Sequence, residues 1–277
     1  MTQPLWNSSA SELLSEIATR FSTGLSARHT CPAEGARPPA LVAVAHGSRD
    51  PAARTEIQRL LDQVRALRPG LPVHLAHLGL NDPLLPDVLD RLTGRAVLVP
   101  LLLGRGYHVR VDIPRALAAA PHLDAAVAAP LGPHPLLTQV LHTRLAEAGW
   151  DARGGDAVVL AAAGSRDPAA AADTEAQARL LSARLGVPVL PGYVAAAAPT
   201  VAEAVAALTA RGHRRVAVSG YFTAPGDFAR LAAAAGRWLT AAPLGPHPAL
   251  ARLVLARYDD AAGLTRATDA EPRALAS

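Results

Sequence analysis

Apolar residues in this chain fall into two alternating patterns. Short unbroken runs lie at Leu41–Ala45, Val73–Leu78, Ala96–Leu103 and Ala125–Ala129, and again at Ala157–Ala162, Val187–Val194, Arg215–Ser219 and Leu239–Ala242. Runs of this length between Gly, Pro and Asp read as strands buried on both faces. Between them the period changes. Ile57, Leu60, Leu61, Val64 and Leu67 recur every three or four residues and predict one buried helical face. Asp50-Pro51 marks the start of that helix, with a capping carboxylate followed by a proline whose missing N–H costs nothing there. Pro83–Leu92, Val111–Ala119 and Pro135–Ala148 predict three more helices. The order βαβαβαβα predicts an α/β fold, a parallel four-stranded sheet flanked by helices, and the chain contains it twice.

The two copies share residues as well as order. Gly47-Ser48-Arg49-Asp50-Pro51 returns as Gly164-Ser165-Arg166-Asp167-Pro168, a separation of 117 residues. Ala129–Pro135 returns identically as Ala242–Pro248, 113 apart, and Gly106-Tyr107 returns as Gly220-Tyr221, 114 apart. A tandem duplication follows, with lobes over 39–150 and 154–260 and Gly154-Gly155 at the seam. Residues 1–38 read as a leader rich in Ser, Thr, Ala and Pro, with one short amphipathic stretch at Leu13–Phe21. Residues 261–277 read as a polar tail.

Composition narrows the function. Half of the 277 residues are hydrophobic and 18% are charged, enough to bury a core and too little charge for disorder. The net charge is +4, and all 27 basic residues are arginine. They are scattered rather than clustered, and aromatics make up only 4%, so a nucleic-acid partner is not expected. The single cysteine, Cys31, excludes an internal disulfide framework and a four-cysteine zinc site. No apolar run approaches the ~20 residues that span a bilayer, and no charged start leads into an apolar stretch. A soluble cytoplasmic protein is expected.

Ligands of open parallel sheets bind beyond the carboxyl ends of the strands. His46 follows the first strand and His108 lies in the loop after the third, at the same sheet edge. Two convergent imidazoles suit Fe2+, Co2+, Ni2+ or Zn2+. Matched by the repeats, His46 has Ala163 as its counterpart and His108 has Phe222. The scaffold motif survives in both copies while both histidines are missing from one, which points to one working site and one retired copy. His134 and His247 are kept in both lobes and read as structural. So does the retained pair Arg49 and Arg166, with an aspartate as a local partner. Arg105, Arg110 and Arg115 surround His108 without arginine counterparts and suit a substrate rich in carboxylates. Gly104-x-Gly106 is only a fragment of a dinucleotide fingerprint, and no Gly-x-Ser-x-Gly or lysine-bearing phosphate loop is present.

Val44-Ala45-His46-Gly47-Ser48-Arg49-Asp50-Pro51, together with Gly106-Tyr107-His108-Val109-Arg110-Val111-Asp112-Ile113-Pro114, resembles the sirohydrochlorin chelatases of the CbiX/SirB type. The resemblance implies two chelatase-like lobes facing across a cleft. It also implies ATP-independent insertion of a divalent metal, Fe2+ or Co2+, into a tetrapyrrole on the way to sirohaem or cobalamin. His46 and His108 match the family's metal-binding histidines. Ser48, Arg105, Tyr107, Arg110 and Arg115 are the expected substrate contacts, no cofactor beyond the metal substrate is expected, and a monomer suits a cleft already built within one chain. One position departs from the family: Gly79 in Leu78-Gly79-Leu80 stands where many members have a glutamate. Strand alternation puts His77 on the same side as position 79, so His77 is the candidate replacement, with Asn81 and Asp82 as alternatives. Two other functions fit parts of the pattern. One is a tetrapyrrole or metal carrier that has lost turnover; the other is a phosphate binder using the Gly47-Ser48 loop at a helix N-terminus.

Overall fold

A computed structural model describes residues 37–151 and 156–264. Most of the leader, Leu13–Phe21 and Cys31 included, the Gly154-Gly155 seam and all of the tail beyond 264 lie outside the described residues. The first lobe runs β1 Ala40–Ala45, α1 Pro51–Leu67, β2 Val73–His77, α2 Leu85–Arg91, β3 Gly94–Pro100, a π-helical turn His108–Asp112, α3 Ile113–Ala118, β4 Leu123–Val127 and α4 Pro135–Glu147. The second runs β5 Asp156–Ala162, α5 Pro168–Leu185, β6 Val189–Tyr193, α6 Val201–Ala210, β7 Arg215–Gly220, α7 Asp227–Ala234, β8 Leu239–Ala241 and α8 Pro248–Ala262. All strand pairs are parallel, in the orders β2-β1-β3-β4 and β6-β5-β7-β8. The fold is the α/β class expected.

Some boundaries move. The run expected as a strand to Leu103 leaves the sheet at Pro100, with Leu101 still donating to the Val44 carbonyl at 2.8 Å. The helix expected from Val111 starts earlier, as the π turn. Pro114 has no N–H for the Arg110 carbonyl and its ring would crowd that carbonyl in a regular helix. The turn widens instead, and Ile113 N–H reaches back five residues to the His108 carbonyl. Helix α8 takes in Ala261 and Ala262, the first residues of the expected tail.

Register corrects one of the three repeat matches. Leu101 N donates to Val44 O, and Tyr221 N donates to Ala161 O. Arg110 N donates to Gly106 O, and Arg230 N donates to Gly226 O. Leu101 therefore corresponds to Tyr221, Gly106 to Gly226 and His108 to Phe228, a separation of 120 residues rather than 114. The Gly-Tyr dipeptides match in letters only. The histidine is still missing from the second lobe, but Phe228 stands in its place and not Phe222. Arg110 acquires a counterpart, Arg230.

Strand alternation divides the core. Leu41, Ala43 and Ala45 face a core shared by both lobes, whereas Val42 and Val44 face a separate one with Leu85, Leu89, Leu98 and Ile113. The second lobe has its own outer core around Val159, Val205, Leu208 and Val218. The shared core joins Leu60, Leu137 and Leu141 of the first lobe to Leu160, Leu250 and Tyr258 of the second. The lobes reach it by exchange: α1 packs on α8 and α4 on α5. Each fully buried leucine there contributes roughly 1.5–3 kcal/mol over an exposed one. Polar bonds fix the exchange. Gln177, fully buried, accepts from His134 N–H at 2.9 Å and donates to Thr138 Oγ1 at 2.9 Å. Tyr258 donates to the Pro39 carbonyl at 2.7 Å, and Arg68 pairs with Asp259 beside it.

Candidate functional site

The carboxyl ends of β1, β3, β5 and β7 open into one cavity of about 590 Å³ between the lobes. Its size falls in the usual range for small-molecule sites. His46 enters it directly after β1. Gly47 follows at φ 96°, where a Cβ would lie 1.9 Å from the Gly79 carbonyl oxygen, so only glycine lets the two loops close. Ser48 N–H donates to Asn81 Oδ1 at 2.7 Å, Asp50 N–H to Ser48 Oγ at 3.1 Å, and Ala52 N–H to Asp50 Oδ1 at 2.9 Å. These donors are spent, and the Asp50 carboxylate occupies the helix N-terminus. The Asp50 carboxylate there would repel a phosphate.

His108 sits in the π turn, so the proline that deforms the helix also sets where this imidazole lies. The His46 and His108 rings meet edge to face, 4.7 Å between centroids and 85° between planes. Their other contacts favour the same tautomer. His108 Nδ1 lies 2.5 Å from Asp112 Oδ2, and His46 Nδ1 lies 3.3 Å from the Gly47 carbonyl. Carboxylate and carbonyl oxygens accept only, so both Nδ1 atoms donate and both Nε2 lone pairs stay free. Asp112 was not singled out from sequence, although four residues from His108 is the spacing of one helical turn. Among the described residues no three His, Cys, Asp or Glu side chains group as a closed metal site. A metal held by two imidazoles alone would keep most of its coordination open.

His77 also lines the cavity. It is buried, with Nδ1 3.4 Å from the Pro83 carbonyl, and burial pushes its pKa below the ordinary imidazole value. The alternation expected to carry from His77 to position 79 does not hold, because β2 ends at His77 and Gly79 lies in the following bend. A Cβ on Gly79 would meet nothing within 4 Å. Asn81 is engaged with Ser48, and Asp82 is exposed outside the cavity lining.

The arginine rim takes a different form from the one expected. Arg105 reaches across to the second lobe, where Asp173 accepts from its backbone N–H at 2.9 Å and from its Nη2 at 2.7 Å. Arg110 pairs with Asp167 at 2.9 Å, also across the cleft. Each has a carboxylate of its own, and Arg115 and Tyr107 are exposed outside the cavity lining. Ser48 does line it, with Oγ 3.1 Å from where a Cβ on Gly226 of the other lobe would lie. The lining arginines are Arg49 and Arg54, neither of them ion-paired among the described residues. Among the described residues Arg49 thus has no aspartate ion-pair partner, contrary to expectation. Arg54 was missed from sequence, since only the fold shows that the first turn of α1 faces the cavity. His134 and His247 are structural as expected: each accepts on Nδ1 as a helix N-cap, from Leu136 N–H at 3.1 Å and Ala249 N–H at 3.0 Å.

The CbiX family model matches residues 40–148 and again residues 157–261, one match per lobe. The chain belongs to the CbiX family. Relatives include a sirohydrochlorin cobaltochelatase of Priestia megaterium, 26% identical over 193 residues, which are 65% of this chain and 62% of that protein. Another, of Methanopyrus kandleri, is 28% identical over 89 residues, 31% of this chain and 62% of that protein. The matched stretches thus span 62% of the length of either relative. Among solved structures, SirB from Bacillus subtilis with Fe3+ superposes at a TM-score of 0.66 and 23% identity, covering 81% of this chain and 96% of that one. CbiX, described as the terminal enzyme of siroheme biosynthesis in denitrifying bacteria, gives 0.61 and 22%, covering 80% and 99%. These likenesses establish the two-lobe chelatase fold. Among the described residues no helix is long and apolar enough to cross a membrane.

Proposed function

We propose that this CbiX-family chain inserts a divalent metal, Fe2+ or Co2+, into sirohydrochlorin without ATP. The observation that carries this reading is the His46–His108 pair at the mouth of an interlobe cavity, with both Nδ1 atoms engaged and both Nε2 atoms free. Insertion needs a metal that is held but not enclosed, an acceptor for two pyrrole protons, and a grip on the ring. The two Nε2 atoms supply the first. The same Nε2 lone pairs, released as the metal passes to the ring nitrogens, supply the second, with His77 serving beside the pair where the family glutamate is missing. The cavity supplies the third, with Ser48 at its edge and Arg49 and Arg54 facing the ring carboxylates. Arg105 and Arg110 serve the site by tying its loop to the second lobe.

The test is anaerobic absorption spectroscopy of sirohydrochlorin with Fe2+, Co2+ or Ni2+ offered separately. Wild type should convert the spectrum to that of the metallated ring, while His46→Ala and His108→Ala should fall at least about a hundredfold in rate. Gly79, with open space in place of a carboxylate, favours the carrier as the second reading. A carrier would bind the ring stoichiometrically and leave the insertion rate at its uncatalysed value.

A further inference from the structure

The cavity is lined at three pairs of equivalent positions by opposite chemistry. Sheet register makes Ala163 the counterpart of His46 and Phe228 the counterpart of His108. Alignment of α1 with α5 at Pro51 and Pro168 makes Ala171 the counterpart of Arg54. All six line the cavity. The first lobe thus offers two imidazoles and a guanidinium, and the second offers two methyl groups and a phenyl ring. Phe228 is 45% exposed. An exposed phenyl ring in a cavity lining is costly in water, and a flat conjugated ligand would cover it.

We propose that Ala163, Ala171 and Phe228 form the seat for the face of the macrocycle turned away from the metal, so that the ring binds in one orientation and is metallated from the first-lobe side alone. The inference rests on the tetrapyrrole reading above. Small side chains at 163 and 171 leave room for a flat ring, and Phe228 offers its face or edge to the π system. Arg54, opposite Ala171, meets a ring carboxylate. The second lobe has exchanged metal ligands for a stacking surface rather than merely losing them.

The experiment separates ring from metal. Metal-free sirohydrochlorin is titrated by absorption into the full chain, and Co2+ alone is titrated by calorimetry, for wild type, Phe228→Ala, Phe228→Tyr and Arg54→Gln. Phe228→Ala should weaken ring binding about tenfold and leave Co2+ affinity unchanged, and Phe228→Tyr should restore the ring. Arg54→Gln should weaken ring binding at low salt by a factor that shrinks as salt rises. Ring affinity unchanged in Phe228→Ala overturns the seat, as does a parallel loss of Co2+ affinity, which would mark Phe228 as a prop for the histidine side. Wild type that binds Co2+ but no ring overturns both this inference and the chelatase reading. Wild type that binds the ring through Phe228 without metallating it overturns insertion and leaves the seat standing.

Discussion

Asp112 decides how His108 presents itself. Its carboxylate accepts a hydrogen bond from Nδ1–H at 2.5 Å and so leaves Nε2 as the free nitrogen. Asp112→Asn keeps the shape but removes the charge, and should lower Co2+ affinity about 10–100-fold with the circular dichroism spectrum unchanged. Titration of the variant with Co2+ checks this. His46 and His108 were legible because a parallel sheet sends its chemistry to one edge and because the duplication supplies its own comparison. Asp112 was within reach at a spacing of four. The partners of Arg105 and Arg110 were not: Asp173 lies 68 residues from Arg105 and Asp167 57 from Arg110, in the other lobe. The interlobe ties that these guanidinium groups make were therefore not legible in the sequence.

Helices α4 and α8 begin with a histidine as N-cap, and such a cap works only while the imidazole is neutral. Burial pushes His134 and His247 below the ordinary value of about 6.5, and His74 and His77 shift in the same direction for the same reason. As the pH falls below that value, the unfolded chain binds protons that the folded chain refuses, so stability decreases. The urea midpoint should drop between about pH 7 and about pH 5.5. Replacing both caps by serine, which caps without titrating, should flatten the slope, whereas His134→Ala should cost about 1 kcal/mol at neutral pH. Element order and type were legible from periodicity. The π turn was not, since Pro114 read as a helix residue without revealing that the preceding turn must widen. The repeat alignment went astray at Gly220-Tyr221, because two matching letters outweighed a register that only hydrogen bonds disclose.

At the scale of the whole molecule the lobes are not separable bodies. Leu137 and Leu141 of the first lobe and Leu250 and Tyr258 of the second lie in one core and are fully buried there. A first lobe expressed alone, residues 37–151, would leave α1 and α4 without α8 and α5. It should self-associate or fail to give a cooperative transition, while the two-lobe chain should unfold in a single step. Size-exclusion chromatography and thermal circular dichroism distinguish these outcomes. Composition and repeats announced two lobes, but not that each completes the other, because exchange packing involves faces that are amphipathic whichever partner covers them.

The Tyr258 hydroxyl on the Pro39 carbonyl brings the end of α8 beside the start of β1. The order in which the lobes are written along the chain is therefore nearly immaterial to what they build. A circular permutant that opens between residues 151 and 156 and joins residue 264 to residue 38 through a short linker would read the histidine-free lobe first, yet should assemble the same cavity. A permutant melting within a few degrees of the natural chain would show that the folded molecule has no mechanical use for that order.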